Sequence, residues 1–322
     1  MRFALTDEQR GFARSLDDLL TGSEVPSVVR AWADGEHASG LKLWRRLADL
    51  GVTGLLVPES AGGLDADPVD LVVAFEALGR HAIPGPWIPS VAYLPVLAAD
   101  DKELLTALAE GEMATAAVPP HTPLAVDADV ASRVFLVQGA SFHVGDPGEL
   151  RRSVDPARRL FEVAAGETIA DLDTAAAAYD MAVLACSAQL LGAGERLLSE
   201  SVAYAKTRTQ FGRPIGEFQA LKHDLAGVKV ALDFARPLIH GAALSIGGHS
   251  SDAPRDVSAA KVASGDAAYR SARTALQVHG AIGYTAEHDL GLWITKVRAL
   301  VGTWGTASDH RARVLDAITR EA

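Results

Sequence analysis

The sequence predicts a mainly α-helical protein with a small β insert, in the order helical, β, helical. Three observations predict it. Apolar residues recur at helical spacing through residues 1–115 and again through 171–322. That periodicity stops over 116–170, where β-branched and aromatic runs separated by glycine take its place. The long C-terminal segments are joined by short connections, which predicts an antiparallel bundle. The expected domains are therefore an N-terminal helical domain (1–115), a reduced middle β domain (116–170) and a C-terminal helical bundle (171–322).

The elements follow in order. Thr6-Asp-Glu-Gln9 reads as a capping box that starts a helix carrying Leu16, Leu19 and Leu20 on one stripe. Leu43, Leu47 and Leu50, beside Trp44, mark a helix that ends at Gly51. Val57-Pro58-Glu59 leads into Gly62-Gly63, a turn whose glycines supply conformations denied to other residues. Asp67-Pro68 opens the next helix, with proline in the first turn. Residues 81–95 are Pro-rich and read as irregular, and 100–110 as a short helix. In the middle segment, 134–137 and 141–144 read as strands, Asp146-Pro147-Gly148 as a turn, and 158–163 as a further strand. Beyond it, 172–206, 218–246, 258–279, 290–301 and 308–318 read as helices.

Composition narrows the function. Of 322 residues, 48% are hydrophobic and 22% charged, ordinary values for a globular protein. A net charge of −11 argues against an extended nucleic-acid surface. The single cysteine, Cys186, leaves no internal disulfide framework and no cysteine-based zinc cluster, and its apolar neighbours predict a buried thiol. No metal-binding motif is recognised. The N-terminus lacks the apolar core of a signal peptide. The most apolar stretch, 175–194, contains Asp180 and many small residues, which fits a buried helix better than a membrane span. The expected location is the cytoplasm.

Three stretches carry recognition chemistry. In Arg208-Thr-Gln210-Phe211-Gly212-Arg213-Pro214-Ile215-Gly216-Glu217-Phe218-Gln219, an arginine can fork onto a phosphate, Phe211 offers an aromatic face, and Gln219 can donate and accept. An ordinary connector with solvated arginines is the simpler reading of those residue types alone. In Gln277-Val-His279-Gly280-Ala281-Ile282-Gly283, the glycines permit close backbone approach, and a helix C-cap explains them equally well. Val301-Gly302-Thr303-Trp304-Gly305-Thr306 reads as a packed turn with a buried tryptophan.

Together these stretches resemble the acyl-CoA dehydrogenase family. Arg208, Phe211, Gly212, Ile215 and Gln219 match its R-x-x-F-G-x-x-I-x-x-x-Q loop. Gln277, Gly280, Ala281 and Gly283 match its Q-x-x-G-G-x-G turn, with Ala281 in place of the second glycine. Val57-Pro58-Glu59 with Gly62-Gly63 resembles its N-terminal V-P-E-x-x-G-G segment, and Ser153 through Arg159 resembles the end of its middle domain. The resemblance implies a helical domain, a β domain and a four-helix bundle. It also implies FAD as cofactor, an acyl-CoA substrate, α,β-dehydrogenation, and an electron-transfer flavoprotein as acceptor. It assigns Arg208, Gln210, Phe211, Ile215, Phe218, Gln219, Gln277, Gly280 and Ala281 to the ADP side of a FAD bound mainly by a neighbouring subunit.

The sequence departs from that pattern in two places. The family's catalytic Glu lies in a Y-E-G-T turn, and Trp304 occupies its position here. Ala182 falls at the alternative position used by some members, so no catalytic residue is assigned. The middle segment also lacks the T-E-x-x-x-G-S-D and W-I-T-N segments that hold the flavin ring. The chain thus resembles the short, base-lacking subunit of heteromeric bacterial acyl-CoA dehydrogenases of steroid side-chain breakdown. That implies an α2β2 assembly with a longer partner carrying the Glu and a FAD shared between subunits. Two alternatives stay open: a self-sufficient dehydrogenase using Asp180, Asp309 or Glu287 as a displaced base, and a flavin-free homologue.

Overall fold

The computed structural model describes residues 4–285 and 288–321. Its architecture is mainly helical with one small mixed sheet. The N-terminal part comprises α1 (Asp7–Thr21), α2 (Val25–Ala33), α3 (Ala38–Asp49), α4 (Pro68–Arg80), α5 (Leu94–Leu97) and α6 (Lys102–Ala109). Both arms of the capping box form at α1: Thr6 Oγ1 accepts from Gln9 N–H, and Gln9 Oε1 accepts from Thr6 N–H. Helix α4 begins at Pro68, where a missing N–H leaves no intrahelical bond unmade.

Two stretches differ from expectation. Residues 81–95 are not irregular throughout, because a π-helical turn, Ile88–Tyr93, runs into α5. Pro89 and Pro95 sit in the first turns of these pieces and so do not interrupt them. Helix α2 follows Glu24, which adopts φ 46 and provides no side-chain cap, so nothing in the local sequence announces its start.

The sheet contains β1 (Ala114–Ala117), β2 (Ala125–Val126), β3 (Arg133–Gln138), β4 (Ser141–Arg151) and β5 (Leu160–Asp171), in the order β1-β3-β4-β5-β2. β1 runs parallel to β3, and the other pairs are antiparallel. The turn expected at Asp146-Pro147-Gly148 lies instead within β4. Past Val144, β4 pairs with β5 but no longer with β3. Pro147 therefore occupies a half-free strand with a register shift beside it, a setting that tolerates a residue without an N–H. The hairpin is correspondingly longer than the sequence suggests.

The bundle is built from α7 (Ala175–Thr207), α8 (Gln219–Gly247), α9 (Ala253–His279), α10 (Leu290–Leu300) and α11 (Ala307–Glu321). Helix α7 is long and apolar enough to cross a membrane by length and composition, yet 78% of its most apolar window is buried within the fold. Three contacts place α9 parallel to it. Lys261 Nζ lies 3.2 Å from Cys186 Sγ, Ser271 Oγ donates to Gly194 C=O, and Tyr204 stacks on His279 at 4.3 Å. The C-terminal ends of both helices therefore emerge together, which determines where the recognition loops lie.

Two devices fix the N-terminal part to the bundle. Helices α4 and α7 cross at Gly79 and Gly192. A Cβ on Gly79 would fall 2.0 Å from Gln189 O, and one on Gly192 would fall 2.0 Å from Glu76 O. Glu76 at this crossing takes two hydrogen bonds from Arg236 of α8. At the second junction, buried Lys296 of α10 pairs with buried Asp155 at 3.4 Å and donates to Ile83 C=O at 3.1 Å. Arg158 there donates to Thr303 Oγ1 at 3.0 Å.

Candidate functional site

Arg208 is the C-cap of α7, and the chain then forms a two-stranded hairpin, β6 (Thr209–Gln210) with β7 (Arg213–Pro214). Its two tip residues, Phe211 and Gly212, both have positive φ, 53 and 79. That combination defines a hairpin turn whose twist matches its strands, and for an aromatic residue it is a strained conformation. The turn holds Phe211 91% exposed, with its ring edge-on to Phe218 at 6.2 Å. Arg213 lies over the Phe218 ring at 4.4 Å. Ile215 N–H donates to Arg208 C=O at 2.8 Å and closes the loop. Gln210 donates to its neighbour's carbonyl, and Gln219, the first residue of α8, contacts His223. Arg208 is exposed and has no hydrogen-bonding or ion-pair partner for its side chain among the described residues.

The second stretch lies beside the first. Tyr204, one turn before Arg208, stacks on His279, and the chain leaves α9 at Gly280. Gly280 adopts φ 61 and ψ −137, open only to glycine, and nothing lies within 4 Å of where a Cβ would stand. Gln277, Gly280 and Ala281 are exposed. The hairpin and the glycine turn therefore flank one end of the bundle. Gln277 and Gly280 also line a groove of about 610 Å³ between α9 and α10, where Arg273 and Arg298 join them. Sequence reading missed both arginines, although Arg273 lies one helical turn before Gln277 and so on its face.

The donor set at this end fits the nucleotide half of a flavin cofactor. An unpartnered arginine, exposed amides and a bare glycine backbone suit phosphate and ribose. The base position does not fit a proton-transfer role. Trp304 is 2% exposed, adopts φ 58, and packs its ring 5.0 Å from Tyr93. Its carbonyl accepts from Tyr179 Oη at 3.0 Å and from His310 Nε2 at 2.8 Å. Ala182 is fully buried in α7. A cavity of about 630 Å³ opens beside this turn, between the 118–121 connection and α7 and α11.

The other carboxylates are engaged. Asp180 pairs with Arg313 at 2.6 Å; burial raises its pKa and the arginine opposes that shift. Asp309 accepts from the Thr306 N–H and hydroxyl, bonds that hold its carboxyl below the usual range. Glu287 lies outside the described residues.

His310 makes the turn pH-sensitive. Burial pushes its imidazole down to about 4, although the hydrogen bond to the Trp304 carbonyl opposes the shift. The unfolded chain, at the ordinary 6.5, binds the proton more readily. This stabilisation is therefore complete above pH 6.5 and lost as pH falls toward 4, by up to about 3 kcal/mol. Thermal melts across that window should drop more steeply for the wild-type chain than for His310→Gln.

Residues 6–116 match the family model "Acyl-CoA dehydrogenase, N-terminal domain", and residues 172–319 match "Acyl-CoA dehydrogenase, C-terminal domain". Acyl-CoA dehydrogenase IpdE2 of Mycobacterium tuberculosis is 31% identical, the match covering 90% of this chain and 91% of that protein. A solved structure of a Tcur3481-Tcur3483 steroid ACAD variant superimposes with a TM-score of 0.86 at 21% identity, covering 98% of each chain. The ChsE4-ChsE5 complex from Mycobacterium tuberculosis superimposes at 0.77 and 23% identity, covering 99% of each chain. The chain belongs to the acyl-CoA dehydrogenase family, a family of oxidoreductases.

Proposed function

We infer that this chain is the cofactor-completing subunit of a heteromeric, FAD-dependent acyl-CoA dehydrogenase, and that a longer partner supplies the catalytic Glu and seats the flavin ring. One contrast carries the reading. The nucleotide-recognising side chains Arg208, Gln210, Phe211, Gln219 and Gln277 are exposed at one end of the bundle, whereas a buried Trp304 fills the base position. An exposed, strained Phe211 is costly in an isolated chain and gains packing when a second subunit covers it.

The remaining assignments extend that reading. Bound FAD supplies the hydride acceptor for α,β-dehydrogenation. In this chain, Arg208 forks onto the pyrophosphate, Gln219 and Gln277 reach the sugar and phosphate, and the Gly280–Ala281 backbone lies against them. Phe211, Ile215 and Phe218 wall the nucleotide off from water, and Gln210 closes the hairpin edge. The assembly is α2β2, works in the cytoplasm and passes electrons to an electron-transfer flavoprotein. A steroid-derived acyl-CoA is the substrate class, by likeness to the steroid ACAD whose fold this chain shares. Engagement of Asp180 by Arg313 and of Asp309 by Thr306 weighs against a displaced base.

The test is expression with and without the partner. The chain alone should purify colourless or poorly soluble, and the co-expressed pair should purify as a yellow complex. A yellow, active homo-oligomer of this chain alone would overturn the reading.

A further inference from the structure

The groove between α9 and α10 has a charge arrangement that the rest of the molecule lacks. The chain carries 41 acidic residues against 30 lysines and arginines. Most arginines outside this groove that pack against the fold are paired: Arg80, Arg133, Arg159, Arg196, Arg236 and Arg313 each meet a carboxylate. Arg273 and Arg298 line one groove from opposite helices, and neither has a carboxylate within ion-pair distance among the described residues. The nearest acid on the adjoining surface, Asp266, is held by Arg311 at 2.8 Å. Two facing guanidinium groups repel one another across a concave surface unless an anion lies between them.

The rest of the lining narrows the anion. Tyr269, Arg273 and Gln277 succeed one another at four-residue spacing on α9, and Ile294 and Arg298 do so on α10. The groove thus presents an aromatic ring, an apolar wall, two cationic forks and an amide in one volume of about 610 Å³. The forks match phosphate oxygens, the amide matches a ribose hydroxyl, and the ring and the apolar wall match a base. Gly280 leaves the mouth unobstructed by a side chain. The C-terminal end of α9 carries partial negative charge, so an anion settling there needs explicit cations, and the two arginines provide them.

We propose that the α9–α10 groove binds the diphosphate of an adenine nucleotide, with Arg273 and Arg298 as its two cationic ligands. Assigning that nucleotide to the ADP portion of the shared FAD rests on the function proposed above. The same chemistry is also present in the ADP portion of coenzyme A, and the experiment separates the two sources.

The binding itself is tested by titrating ADP, and separately adenosine, into the full chain and into Arg273→Ala, Arg298→Ala and the double variant. Both side chains are exposed, so the fold is expected to survive, as circular dichroism would check. Saturable ADP binding should weaken about tenfold in each single variant and disappear in the double variant. Adenosine binding should be weak throughout and indifferent to the substitutions. Equal ADP affinity in wild type and double variant, or no ADP binding by the wild type, overturns the proposal.

The source is read in the co-expressed complex. A fall in FAD content in the double variant assigns the groove to FAD. Unchanged FAD content with a raised KM for acyl-CoA assigns it to coenzyme A. The two inferences fail separately. Arginine-dependent ADP binding in a complex that contains no flavin sinks the shared-FAD reading and leaves this one standing. Flavin that depends on Arg208, with ADP binding indifferent to Arg273 and Arg298, does the reverse.

Discussion

Substituting Arg208 by alanine should weaken FAD binding by the co-purified complex roughly 30- to 160-fold while leaving the stability of this chain unchanged. The two halves of that expectation have one cause. Arg208 is exposed and bonds to nothing among the described residues through its side chain, so its loss breaks no contact within the fold. Surface substitutions of that kind fall within about 0.5 kcal/mol. Its contribution appears only when an anion arrives. A guanidinium forked onto a phosphate contributes about 2–3 kcal/mol, which gives the stated range. The measurement is the flavin-to-protein absorbance ratio after gel filtration without added FAD, alongside a thermal melt. Arg208→Lys should fall between wild type and alanine, because an ammonium keeps the charge and loses the fork. Flavin content that does not change in Arg208→Ala would remove this loop from the cofactor site and favour a flavin-free role for the chain.

Much of the fold was legible because its signals are local. The Thr6–Gln9 box, the proline at the start of α4 and the apolar periodicity of α7, α8 and α9 lie within a few residues of the structure they specify. The failures come where the deciding contact is distant or the start has no local signal. Helix α2 opens on a left-handed Glu24, and the prolines of 88–97 suggested breaks where they occupy first turns. The extent of β4 depends on β5, so Asp146-Pro147-Gly148 looks like a turn until its partner strand is known. The candidate site divides in the same way. The residue types in the 208–219 loop could be read directly, but the type I′-like tip that pushes Phe211 outward depends on backbone angles. That the loop and the Gly280 turn share one end of the bundle follows from parallel α7 and α9, which no local pattern reveals. Arg273 and Arg298 became visible only when α10 was laid against α9.

Restoring the family's carboxylate by Trp304→Glu should not create a dehydrogenase, and should cost the chain about 4 kcal/mol or more. The indole is almost wholly buried, with Tyr93 and Tyr179 beside it, so its removal leaves a cavity. Truncating a buried Trp costs about 3–5 kcal/mol on that ground alone. A glutamate would then place a charge in the space with no cation to meet it. Arg313 is held by Asp180, and burial keeps His310 largely neutral near pH 7. Desolvation would raise the new carboxyl's pKa and add to the loss. The left-handed backbone at position 304, φ 58, also remains after the substitution. Trp304→Phe separates the terms: it retains an aromatic body and should lose less than half as much stability. Urea unfolding measures the cost, and turnover of an acyl-CoA with an artificial electron acceptor measures any gain. A stable Trp304→Glu chain that reduces the acceptor without its partner would mean that this subunit retains a complete site and that one residue silences it. The expected inactive, destabilised variant would instead place the loss of function in the packing around residue 304 as much as in the missing carboxylate. The catalytic turn has become part of the core, and the chain's remaining chemistry lies at the other recognition surface, where α7 and α9 end.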